Sequence, residues 1–444
     1  MPPRSLESGP AASDAVDEGP DARRAAAALA PLFHAVLGQD LSVEVRFWDG
    51  SRLGPVGAPA AIVLRTPLAV RRILYCPNEV GFARAFVLGE ADIEGDALTA
   101  LRAIVLQAPE ELRIGVRTLS RALRAGFGLG IAGRPLPRPA EEARLRGDRH
   151  SKKRDAAAVA HHYDVGNDFY RLLLGESMTY SCARFTDPGD SLEAAQSAKY
   201  DLICRKLGLK PGMRLLDVGC GWGGMAMHAA AHYQVAAVGI TVSEQQHALA
   251  RRRVAEAGLS DWVEIRLQDY RDVGTSSPAE QYDAISSIGM FEHVGAAQMA
   301  AYFEVLSGVL ATGGRLLNHA ISTPNGAQFD RRSFTARYVF PDGELQDVAA
   351  VVAAMQAVDL EVRDVESLRE HYPLTLRRWI DNLDAGWDEA VALVGPVRAR
   401  VWRLYILGAI ITFELNQIAV HQVLGVKTGE DGGSGMPMTR AGMV

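Results

Sequence analysis

The chain has 444 residues, 48% of them hydrophobic and 23% charged, with a formal net charge of -6. That length exceeds one ordinary core and predicts two domains, and so small a charge excludes a uniformly basic nucleic-acid-binding surface. The four cysteines (Cys76, Cys182, Cys204, Cys220) form no C-x-x-C pair and have no histidine at zinc spacing. This excludes a disulfide framework and a structural metal and fits a reducing cytoplasm.

Residues 1–24 are small, polar and acidic, and are expected to lack order. The apolar run at 25–37 has an acidic stretch before it rather than a basic one, so it is not read as a signal segment. Residues 25–125 read as a small mixed domain. Within it, 41–47 alternate like a strand, Asp49-Gly50 marks a turn, 61–64 form a second strand, and helices are expected at 68–75 and 97–106. A Gly/Pro-rich basic linker follows at 126–155. Between Arg113 and Arg154, twelve basic residues oppose three acidic ones, a net of +9. Arg113, Arg117, Arg121 and Arg124 recur at helical spacing among Ile114, Val116, Leu119 and Leu123. That pattern suits a helix lying on anionic lipid, and equally a solvated surface helix.

From 156 onward short apolar strands (214–218, 235–240, 263–267, 282–288, 314–319) alternate with helical segments (224–231, 244–257, 297–310). The alternation predicts an α/β fold over 156–428, a mostly parallel sheet with helices on both faces. The longest apolar run, 404–413, is half a membrane span and is bracketed by Arg403 and Glu414, so it is expected to be a buried helix of a soluble protein. Residues 429–444 are expected to form a flexible tail.

Two motifs carry the chemistry. Residues 214–224 read RLLDVGCGWGG, a strand entering a glycine-rich turn that opens a helix, which suits a nucleotide-type cofactor approaching the backbone. Residues 289–295 read GMFEHVG and put an acid and an imidazole at another strand end, where ligands of open α/β sheets sit. A dinucleotide enzyme would carry an acid at the end of the second strand; here Glu244 falls late, inside the helix start. Thr241 and Ser243 also suit simple capping of that helix. Taken alone, Cys182 reads as buried packing, His319 as a core histidine, and Glu292 as an exposed strand-end carboxylate or a working one. Cys204 and Cys220 are assigned to packing.

Alternating glycines (Gly219, Gly221, Gly223) after Asp217 resemble motif I of the class I S-adenosylmethionine-dependent methyltransferases. With HYDVGNDFY at 162–170, MTYSCARF at 178–185, TVSEQQ at 241–246, LQDYRD at 267–272, YVFP at 338–341 and HYPLTL at 371–376, the ordered series resembles the cyclopropane-fatty-acyl-phospholipid synthases and mycolic acid cyclopropane synthases. The resemblance covers roughly 156–425. The 25–125 region is similar to the N-terminal domain of the phospholipid-acting members, with an implied role in lipid contact or dimerisation.

The resemblance implies methyl transfer from S-adenosylmethionine to a cis double bond of a phospholipid acyl chain, followed by ring closure. It also implies a bound bicarbonate as proton acceptor, cradled by Cys182, Glu292, His319, the backbone of Ile321, and Tyr372. The implied cofactor set is Tyr180, Ser181, Asp217, Gly219, Gly221, Gly223, Thr241, Ser243, Gln245, Gln246, Gln268 and Asp269, with Gln246 toward the ribose. Some members carry a cysteine in the helix matching 405–413; this chain reads YILGAIITF there, which excludes a nucleophilic thiol at that place. The implied setting is the cytoplasmic face of a membrane, in peripheral contact with unsaturated phospholipid and without nucleic acid, in a homodimer. Three alternatives stay open: a methylene- or methyl-branching enzyme of the same family, a small-molecule methyltransferase, and a non-catalytic lipid-binding relative.

Overall fold

The computed structural model describes residues 24–38, 40–107, 129–143, 151–152, 154–155, 165–275, 280–327 and 330–443. The arginine-rich stretch at 113–124 and most of the 162–170 motif's first half lie outside the described residues. The chain divides into two compact units, 1–77 with 90–136, and 78–89 with 137–444.

The first unit holds four strands, β1 (Glu44–Arg46), β2 (Arg52–Leu53), β3 (Ala60–Leu64) and β4 (Ala91–Gly95), in the order β2-β1-β3-β4. β1 runs parallel to β3, while the other two pairings are antiparallel. Val45, Ile62, Leu64 and Ile93 are buried, which gives the sheet an apolar face for helices Arg24–Leu37, Pro67–Tyr75 and Ala97–Gln107. Glu44 is also buried and is held by Arg46 at 2.8 Å and Arg52 at 3.1 Å; an inward carboxylate without such partners would be costly. The strand expected at 41–47 is shorter than its alternation suggested, and β4 was not expected at all.

The second unit is built on seven strands: β5 (Arg214–Val218), β6 (Ala236–Thr241), β7 (Val263–Leu267), β8 (Tyr282–Ile288), β9 (Leu310–Ser322), β10 (Leu360–Ser367) and β11 (Ala419–Lys427). Their order is β10-β11-β9-β8-β5-β6-β7. β5 through β9 are mutually parallel, and β11 enters antiparallel between β9 and β10. Both faces are covered. Leu215 joins a core with Ile203, Leu207, Ala226 and Ala250, while its neighbour Leu216 joins another with Ile285, Phe303 and Leu306, as alternation on a two-sided strand requires. The chain leaves β5 toward β6 and later returns to β8 on β5's other side. That reversal opens a crevice at the carboxyl ends of β5 and β8.

Two expected boundaries move. Residues 137–143, placed in the linker, belong to the second unit because Glu142 is buried there between Arg84 at 2.8 Å and Arg337 at 2.7 Å. Arg84 sits on helix Glu79–Val87, which also belongs to this unit rather than to the small domain. The tail beyond 429 does not hang free. Met443 is buried in the Leu215 core, and Arg440 pairs with Asp364 of β10 at 2.8 Å. Met443→Ala is expected to lower stability by about 2 kcal/mol; an unchanged midpoint in thermal unfolding followed by circular dichroism would show that the tail is not held.

Candidate active site

The glycine turn is anchored to the neighbouring strand, since the N–H groups of Gly219 and Cys220 both donate to Ile240 O, at 3.0 and 2.9 Å. Gly219 has φ +75°, and a Cβ there would lie 2.8 Å from the Met290 side chain, so only glycine fits without displacement. Asp217, two residues earlier on β5, is buried and accepts from Ser286 Oγ at 2.8 Å; burial pushes its carboxyl up to about 6. Thr241 Oγ1 donates to Gln246 Oε1 at 2.8 Å, which leaves the Gln246 amide hydrogens for another acceptor. These groups face a cavity of about 130 Å³ running between the β5 turn and the β8 end.

Of the cofactor residues expected from sequence, Tyr180, Ser181, Asp217, Gly219, Gly221, Thr241, Gln246, Gln268 and Asp269 line this cavity. Gly223, Ser243 and Gln245 do not. Gly223 starts helix Gly224–Tyr233 at φ +83°, and Ser243 caps helix Glu244–Glu256 by accepting from Gln246 N at 3.3 Å, so both shape the wall instead of touching its interior. Gln245 is exposed. The Asp269 carboxylate is engaged by Arg271 at 2.6 Å. Sequence reasoning missed Lys199, Trp222 and Met290 and gave His293 no role, and all four line the cavity. The adjacent glycine and FEH motifs could have pointed to Trp222 and His293; Lys199 sits mid-helix with no local signal.

At the far end of β8, Glu292 occupies a short 3-10 turn, Phe291–His293. Its Oε1 accepts from Ile321 N at 2.7 Å, and its Oε2 is buried with no partner. Burial pushes this carboxyl up to about 7, and the Ile321 N–H pulls the other way. His319 stands two residues before Ile321 on β9. Gln422 Nε2 donates to its Nδ1 at 3.2 Å, so the neutral ring carries its hydrogen on Nε2, which is buried and unpartnered. Burial keeps that imidazole well below its ordinary range, hence neutral. Gly289 N donates to His319 O at 2.9 Å and ties the two strand ends together.

Glu292 and Ile321 are thus joined directly, and His319 stands two residues before Ile321 on the same strand. The Cys182 thiol turns instead to Ala183 O at 3.2 Å and Leu368 O at 3.7 Å, and burial pushes it up, so it stays a thiol. Tyr372 is buried against Phe413, with ring centroids 4.5 Å apart. His371, left unassigned by sequence, accepts from Phe185 N at 3.1 Å and serves the same loop as a brace. An aromatic layer connects the regions. The Tyr180 ring is stacked with Trp379 at 5.2 Å and Phe340 at 6.4 Å, and Phe340 lies 5.8 Å from Tyr405. Such faces attract positive charge.

Sheet order, glycine turn and cavity together define a class I S-adenosylmethionine-dependent methyltransferase. Residues 150–423 match the family described as mycolic acid cyclopropane synthetase, and the chain belongs to that family. It is 42% identical over 408 residues to the Mycobacterium tuberculosis protein named "Probable fatty acid methyltransferase Rv3720", covering 88% of this chain and 92% of that one. To the cyclopropane-fatty-acyl-phospholipid synthase of Escherichia coli (strain K12) it is 36% identical over 318 residues, 70% and 79% of the two chains. Among solved structures, mycolic acid cyclopropane synthase CmaA1 complexed with SAH and CTAB is similar at TM-score 0.57 and 34% identity, covering 61% of this chain and 97% of that one.

Gly219→Ala forces a side chain onto Met290 at a strained φ. It should weaken S-adenosylhomocysteine (SAH) binding about tenfold, the equivalent of about 1.4 kcal/mol; calorimetry giving wild-type affinity would contradict the placement of the cofactor against this turn.

Proposed function

We propose that the protein transfers the methyl group of S-adenosylmethionine to a cis double bond of an unsaturated acyl chain in a membrane phospholipid and closes a cyclopropane ring. The observation that carries this reading is a buried carboxylate near neutrality, Glu292, bonded to the strand that carries a neutral histidine, in a unit that also holds a layer of aromatic faces. Proton removal next to a carbocation needs those features, and water must be kept out. The alkyl-chain amphiphile bound to the similar CmaA1 structure supports an acyl substrate, and the Escherichia coli relative's name supports phospholipid.

When bound, S-adenosylmethionine supplies an electrophilic methyl carbon on sulfonium. The alkene's π pair forms a bond to that carbon, the C–S bond breaks with its electrons going to sulfur, and a cation is left on the neighbouring chain carbon. A proton then passes from the transferred methyl carbon to an acceptor held at Glu292, and the released C–H pair closes the ring onto the cation. Tyr180, Phe340, Trp379 and Tyr405 supply aromatic faces for the cationic stage.

Glu292 Oε2 as acceptor and His319 Nε2–H as donor, each buried without a partner among the described residues, have the chemistry a bicarbonate needs, and it would serve as a small proton acceptor there. Ile321 N and the Cys182 thiol are committed to Glu292 and to backbone carbonyls, so they suit the cradle less directly. Glu292 itself must be ionised to take up a proton.

We place the reaction at a membrane surface, on the substrate's chemistry; among the described residues no helix is long and apolar enough to cross a membrane. A second reading is favoured by the Mycobacterium tuberculosis relative's name: methylation that ends in a branched chain. Expression in a host without such activity, with fatty acids compared against ring and branch standards by gas chromatography, should give cyclopropane chains. Branched chains alone would select the second reading, and unmodified lipid would remove both.

Glu292→Gln should lower turnover at least 100-fold while SAH affinity stays near wild type, since the residue serves proton removal and not cofactor binding. A raised carboxyl pKa means Glu292 is protonated below about 7 and ionised above it. Turnover should therefore rise with pH through that point; a profile flat between pH 6 and 8 would contradict the role. Binding to anionic vesicles should weaken as salt is added, because the basic stretch at 113–154 carries the attraction; salt-insensitive binding would remove that part of the account.

A further inference from the structure

We propose that Lys199 is a cofactor-positioning residue, receiving the carboxylate of the amino-acid end of S-adenosylmethionine while Asp217 takes its ammonium group. This rests on the methyltransferase reading and adds a residue to it.

Lys199 lies in the middle of helix Leu192–Leu207 with 0% exposure. Its Nζ donates to Ser181 Oγ at 2.8 Å and stands 4.3 Å over the Tyr200 ring. Both Lys199 and Asp217 line the cavity. Among the described residues no carboxylate comes within 4 Å of this ammonium.

The same helix supplies an internal contrast. Lys206, seven residues on and equally buried, is paired with Asp364 at 2.9 Å and with Glu366. A buried lysine that only holds a fold together is paired in this way, because an unpaired buried charge is costly. Lys199 is given a hydroxyl and an aromatic face, and it lines a cavity. One buried ammonium and one buried carboxylate, not paired with each other, form the complement of an α-amino acid zwitterion. No other chemical group of the cofactor has that charge pattern.

Electrostatics support the geometry. Burial pulls Lys199 down to about 7, with Cys182 and Asp217 acting in the opposite sense. The titratable groups facing it are Cys182, Asp217, Tyr200, His228 and His319. At pH 8 Asp217 is ionised and the other four are neutral. An arriving carboxylate therefore draws a proton onto Lys199 and onto nothing else in this set.

The test is titration calorimetry at pH 8 in two buffers of different ionisation enthalpy. It uses SAH and a decarboxylated SAH that lacks only the carboxylate. Wild-type protein should take up close to one proton per SAH and almost none with the decarboxylated analogue. Lys199→Met should lose SAH affinity roughly 100-fold and keep its affinity for the analogue within about threefold. Equal proton uptake with both ligands, or equal loss of both affinities in the variant, would overturn the assignment. Should Lys199→Met not fold, the wild-type proton count decides alone. Wild-type protein that binds no SAH would overturn the cofactor reading itself, a result distinct from binding without carboxylate preference.

Discussion

A 2.7 Å hydrogen bond from Ile321 N to Glu292 Oε1 joins the ends of β8 and β9 and fixes where a buried carboxylate can act. An acid in a water-excluded site would ordinarily swing outward or stay protonated. This N–H holds one oxygen in place and partly offsets the burial that raises the group. The other oxygen is buried and has no partner among the described residues. The Gly289–His319 link ties the same two strand ends together, and the register that sets Gln422 opposite His319 holds a neutral imidazole on β9.

The site divides its charges by place. On the cofactor side Asp217 and Lys199 stand within one cavity as separate buried charges. On the reaction side, among the described residues, Glu292 is hydrogen-bonded to a backbone N–H and to no cation, and Tyr302 and Tyr405 lie close enough to feel its charge. A sulfonium arriving between the two sides meets aromatic faces that favour positive charge without giving it a nucleophile to trap. Methyl transfer to a weak nucleophile such as an alkene needs that restraint more than it needs a strong base.

Much of this was legible in the chain. Of the five parallel strands, the inner ones were readable as short, largely apolar runs buried on both faces and edge strand β7 by the alternation of VEIRL, and the glycine turn because its backbone has few alternatives. β10 and β11 were not. Leu360–Ser367 alternates with charges, and Ala419–Lys427 follows a long apolar helix from which periodicity alone does not separate it. The resemblance brought Glu292, His319 and Ile321 to attention, yet the direct Glu292–Ile321 bond, and the turning of Cys182 toward backbone carbonyls, emerge only from the fold. Gly223 and Ser243 share the motif's sequence but serve as helix starts. Lys199 carries no sequence signal at all, since a lysine in a polar-looking helix reads as solvated until the helix is seen packed against the sheet.

The central claim is that a proton leaves the transferred methyl carbon beside Glu292. Lipid modified with S-adenosylmethionine carrying a fully deuterated methyl group tests it in one mass spectrum. The account predicts new acyl chains that keep two of the three deuterium atoms in a ring methylene. Chains that keep all three would show that the methyl carbon never gives up a proton, and would contradict it.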